Sequence, residues 1–134
     1  MARLTKSIYT GSTITALGEV TNSDTLDGVL APTITTLTDG ATITPDFSTS
    51  CNFTVTLAGN RAMANPSNPV AGQSGSIFIV QDSTGSRTLS WGANWDWAGG
   101  TAPTLTTAAN AVDRVDYVVR SATSIQAVFT GNYS

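Results

Sequence analysis

From Pro32 onward the chain never settles into one long apolar periodicity. It offers six or seven short strand-like runs, each cut off at regular spacing by Gly, Pro, Asn or Asp. Such runs are too short for helices of ten or more residues, and they suit half-buried strands joined by turns. Composition points the same way. Only 11% of residues are charged, where about a quarter is usual. Lys6 and Glu19 are the sole residues of their types, while Thr and Ser abound. Few strong helix formers and many β-branched residues favour strands. The expected fold is all-β: a compact β-sandwich or jelly-roll-like domain over residues 33–134, with an extended N-terminal arm over residues 1–32.

Within the domain, "TITTLT" and "ATIT" flank Asp39-Gly40, a strong local signal for a type I′ hairpin. "NFTVTLAG" alternates, which places Phe53, Val55 and Leu57 on one buried face. "GNRAMANPSNPVAGQSG" reads as a long loop, since its prolines suit no central strand. "SIFIVQ" should be the most buried strand, with Ile77 and Ile79 on one face and Phe78 and Val80 on the other. "DSTGS" turns the chain into "RTLSW", and "RVDYVVR" and "SIQAVFTGN" form a closing hairpin through "SATS". No internal repeat is evident at this level.

The arm carries Leu4, Ile8, Tyr9, Ile14 and Leu17, followed by Val20, Leu26, Val29 and Leu30. It has no core of its own, so these residues are expected to lie on a sister subunit or a larger shell. Asn22, Ser23 or Asp24 could cap a short helical turn there.

Several functions are disfavoured. Without histidine, a Ser-His-Asp triad is impossible and the commonest metal ligand is missing. A single cysteine, Cys51, leaves zinc and iron–sulfur sites without ligands; it reads as a small buried thiol at a strand start, in a chain made in a reducing cytoplasm. Neither a catalytic site nor a cofactor or metal is expected. A net charge of -3 with scattered basic residues argues against nucleic acid. No apolar run is long enough to span a membrane, and no h-region follows the first residues, so no signal peptide is expected. Paired carboxylates, Asp113 with Asp116 or Asp82 with Asp96, are the remaining enzymatic option. Asp113 and Asp116 alternate with Arg114 and Arg120, which favours ion pairs, so the chain is expected not to be an enzyme.

The three tryptophans, Trp91, Trp95 and Trp97, all fall in "WGANWDWAGG". Trp91 ends a strand and is expected to be the most buried. Trp95 and Trp97 should share one side with Asp96 between them, either packing at the domain edge or forming a stacking platform for a glycan.

The stretch "LAGNRAMANPSNPVAGQSGSIFIVQDSTGSRTLSWGANWDWAGGTAPTLTTAANAVDRVDYVV" resembles a C-terminal domain found in virion proteins of tailed bacteriophages, tail fibres among them. The resemblance rests on the Gly-Asn and Asn-Pro loop, "GQSG", "QDSTG", "GGTAP" and "AVDRVDY" in order, over roughly residues 57 to 119. It implies a non-enzymatic structural module, usually trimeric, and it transfers no ligand residues.

Thirty-two residues leave little chain for a shaft, since fully extended they reach about 100 Å. The expectation is therefore a homotrimeric capsid decoration (cement) protein that stabilises the head shell by binding the major capsid protein. The virion, assembled in the host cytoplasm, is its expected location. The alternatives are a short tail-fibre or receptor-binding domain and, from another class, a carbohydrate-binding module.

Overall fold

The computed structural model describes residues 31–133. The arm expected over residues 1–32, with Leu4, Ile8, Tyr9, Ile14 and Leu17, lies outside the described residues except for Ala31 and Pro32. The described part is all-β, as composition and spacing require. Nine strands form: β1 (Ile34–Thr36), β2 (Thr42–Ile43), β3 (Asn52–Leu57), β4 (Arg61–Met63), β5 (Ser74–Gln81), β6 (Leu89–Trp91), β7 (Trp95–Trp97), β8 (Val112–Ser121) and β9 (Ser124–Tyr133). One sheet has the order β1-β3-β5-β8-β9-β7 and the other β2-β4-β6.

The chain visits the two sheets in turn. β1, β3 and β5 lie side by side in parallel in the larger sheet. β2, β4 and β6 do the same in the smaller. Each pair of strands thus forms one rung of a short parallel stack. The long β8–β9 hairpin then packs antiparallel against β5. β7 returns to the larger sheet and pairs with the far side of β9, so the hairpin made last in the chain sits between β5 and β7.

Alternation explains the core. Phe53, Val55 and Leu57 of β3, Ile77 and Ile79 of β5, and Val115, Tyr117 and Val119 of β8 all point inward. They meet Ile43, Met63 and Leu89 of the smaller sheet in one hydrophobic cluster. Each such side chain contributes roughly 1.5–3 kcal/mol by leaving water. Ile77 and Ile79 do share the buried face, while Phe78 is half-buried on the other.

Two local expectations fail. Asp39-Gly40 closes no hairpin, because its flanking strands pair with β3 and β4 rather than with each other. Gly40 is also not among the residues with positive φ that a type I′ turn needs. Asp39 instead accepts two hydrogen bonds from the Arg61 guanidinium, at 2.9 and 2.6 Å, pinning this crossing between sheets to β4. The region expected to be one loop contains β4, whose Arg61–Met63 finds partners on both sides; Pro66 and Pro69 lie after it.

Candidate functional site

The tryptophans define one end of the core. Gly92 closes the turn after β6, donating from its N–H to the Met63 carbonyl at 2.8 Å. A Cβ there would sit 2.3 Å from Asn65 Oδ1 and 2.7 Å from Asn65 N, so only glycine allows the approach. Asn65 Oδ1 then accepts from the Asn94 N–H at 2.9 Å and fixes the entry to β7. β7 lies parallel to β9 with Trp95 opposite Ile125, and that register sends Trp95 inward. Its indole N–H donates to the Ala64 carbonyl at 3.0 Å. Its ring packs edge-on against Phe47, Trp91 and Tyr117, with centroids at 6.3, 5.2 and 6.2 Å. Trp97 meets Trp91 edge-on at 4.8 Å. Such aromatic pairs add about 0.5–1.5 kcal/mol each beyond area burial.

The expected order of burial is therefore reversed. Trp95 is only 5% exposed, whereas Trp91 is half-buried. Trp95, of the expected Trp95–Asp96–Trp97 platform, is enclosed by Phe47, Trp91 and Tyr117 and turns its ring into the core.

The carboxylates are spread across different tasks. Asp113 faces inward at 1% exposure. Its two oxygens accept from the Thr106 and Asn132 backbone N–H groups at 2.8 and 2.9 Å, tying a loop and the end of β9 to β8. Asp116 lies three residues on, on the opposite face of the strand, where it accepts from Arg114 Nε at 3.0 Å and from the Ser76 hydroxyl. They cannot act on one substrate atom. The ion pair expected along "VDRVDY" forms at Asp116, while Asp113 binds backbone amides. Asp82 binds Arg87 at 2.7 Å, and the guanidinium holds its carboxyl below the usual carboxylate range. Arg61 does the same to Asp39. Asp96 accepts from the Ser124 hydroxyl. Cys51, expected to be buried, is partly exposed just ahead of β3. Among the described residues no group of three His, Cys, Asp or Glu side chains could hold a metal, and no helix is long and apolar enough to cross a membrane.

One open groove, of about 520 Å³, runs along β7, β8 and β9. Register sets its rows: Val118, Gln126 and Asp96 lie side by side, with Asp116 and Val128 in the next row. Val118 and Val128 are 50% and 60% exposed. The groove thus offers two aliphatic side chains beside an amide and two carboxylates, a surface suited to contact. Of the residues expected at a glycan platform, Asp96 and Trp97 line this groove and Trp95 does not. Sequence reasoning missed Gln126, Val118 and Val128, because only the parallel β7–β9 pairing brings them beside Asp96.

The result is an all-β module whose tryptophans close one end of the core, whose Asp39, Asp82 and Asp113 tie its strands and loops together, and whose β7–β9 groove is open for contact. The chain belongs to the family described as "Putative phage tail fibre C-terminal domain", whose model matches residues 43–124, well over half of the chain. The match starts at Ile43 of β2 and ends at Ser124, where β9 begins. It makes this a phage tail-fibre-type domain and a structural component of the virion. No curated protein and no solved structure matches the chain.

Proposed function

We propose that the chain serves at the tail of the phage particle, as a tail-fibre domain that contacts the host surface, and assembles there as a homotrimer. The observation that carries this reading is the family match, which spans β2 to the β8–β9 turn. The capsid-decoration reading takes second place, because it leaned on the shortness of the chain, and length does not distinguish head from tail. The β7–β9 groove is the surface proposed to meet the receptor, through Asp96, Gln126 and the exposed Val118 and Val128.

Adsorption competition tests it. Purified protein added in excess to host cells should slow attachment of the phage that encodes it, and Gln126→Ala with Val128→Asp should weaken that competition. Unchanged adsorption at saturating protein would count against a receptor-contacting role.

A further inference from the structure

The two sheets share one core, and no described strand lies over the other face of the larger sheet. Phe53, Ile77 and Val115 point into that core, so their neighbours along each strand point away from it. Strand pairing sorts the outward residues into rows. One row brings Thr36, Thr54, Phe78 and Arg114 side by side. The next holds Thr56, Val80 and, beyond Val112, Tyr133. Of the five large apolar side chains most exposed among the described residues, four lie on this face: Ile34, Val118, Val128 and Tyr133. Val118 and Val128 belong to the groove at its β7–β9 margin, whereas Ile34 and Tyr133 lie outside it.

Charge says what such a face can meet. The outward positions of β1, β3 and β5 carry none. In β8, Arg114 is paired with Asp116 at 3.0 Å and lays its guanidinium over Tyr133, 5.1 Å from the ring centre. Copies of a chain with net charge -3 repel one another, and least where an uncharged face meets an uncharged face. Interfaces between identical subunits are likewise depleted in charge at their centre. Size agrees. With strands about 4.8 Å apart and a rise of about 3.3 Å per residue, the face covers roughly 650 Å², near the ~800 Å² per partner of a standard interface. We propose that copies of the chain meet through this face, three of them turning it toward a common axis. The contact centres on Phe78 and Val80, and Asp96 and Gln126 of the groove stay at its rim. The inference rests on the homotrimer proposed above and adds the face that builds it. It does not depend on where in the virion the protein sits.

The test is sedimentation equilibrium on the full-length chain, on Ile34→Arg and Thr56→Arg singly and combined, and on Thr42→Arg with Ser90→Arg. Ile34 and Thr56 are exposed in the single chain, so arginine there leaves the core intact, and tryptophan fluorescence of the wild-type kind checks the fold. Thr42 and Ser90, exposed on the smaller sheet, serve as the control. Wild type and control should sediment at three times the chain mass, and the combined variant as a single folded chain. Should the combined variant not fold, each single variant should raise the dissociation constant at least ~10-fold, about 1.4 kcal/mol. A trimer that survives the combined variant would overturn this face and leave the trimer standing. If that variant also loses its competition for host cells, the face belongs to the receptor instead. A control that falls apart alongside it would overturn the face as well, and a monomeric wild type would overturn both the face and the trimer.

Discussion

Gly75→Ala probes how closely β3 and β5 approach at the mouth of the core. Tyr117 reaches across β5 and donates from its hydroxyl to the Cys51 carbonyl at 2.7 Å. It can do so because Gly75 lies in the path without a side chain. A Cβ on Gly75 would fall 1.7 Å from the Cys51 carbonyl oxygen, 2.6 Å from its carbon and 3.0 Å from the Tyr117 hydroxyl. The first two contacts are backbone, so the strand start must move by more than an ångström. Forcing an extra carbon into a packed site costs about 1–3 kcal/mol. The displaced carbonyl leaves the Tyr117 hydroxyl, on a residue 3% exposed, without its acceptor, a further penalty of about 1–3 kcal/mol. Together they amount to about 2–6 kcal/mol. At about 4–8 °C per kcal/mol, Tm should fall by at least ~8 °C. Tyr117→Phe is the control: it keeps the ring stacked on Phe47 at 4.6 Å and removes only the hydroxyl, at about 1 kcal/mol. Thermal and urea unfolding followed by tryptophan fluorescence reads both. If Gly75→Ala melts within ~3 °C of wild type, or costs less than Tyr117→Phe, the described approach of Cys51 to Tyr117 is wrong.

Four further outcomes are expected. Trp95→Ala should lose about 3–5 kcal/mol in urea unfolding, and half-buried Trp97→Ala distinctly less; equal losses would contradict the inward turn of β7. Ile79→Ala should cost about 2–5 kcal/mol by the same measurement, against a smaller loss for Phe78→Ala on the outer face. Because Arg87 holds the Asp82 pKa below its unfolded value of about 3.9, the stability from this contact is complete above that pH and lost as pH falls through the lower folded value. Arg87→Ala should therefore flatten the acid limb of a stability–pH curve below about pH 4, and an unaltered limb would deny the coupling. Sedimentation equilibrium should give three times the chain mass, and a monomer at micromolar concentration would contradict the trimer.

Much of the core was legible because side-chain alternation is local. Phe53, Val55 and Leu57 announce their face within one hexapeptide, and the apolar run through Ile77 and Ile79 marks the central strand. The β8–β9 hairpin was legible too, since its two strands are neighbours in sequence and their turn is short. Parallel pairing was not. Asp39-Gly40 marks a change of direction, but a turn signal cannot say whether the next strand returns beside the last or crosses to a second sheet. That choice rests on Ile43 meeting Met63 and Asp39 meeting Arg61, twenty and twenty-two residues later. The tryptophans failed for a related reason. Trp95 faces the core only because β7 pairs with Ile125, thirty residues downstream. The same pairing assembles the groove from Asp96, Gln126 and Val118, which no motif in the chain connects. Asp113 and Asp116 could have been separated from sequence alone, since a three-residue offset in a strand places them on opposite faces.

Immunogold labelling of intact phage particles with an antibody against residues 31–133 tests the central claim most directly. The account predicts a few gold particles per virion, confined to the tail fibres or their tips. Dense label over the head shell, with the tail bare, would contradict it.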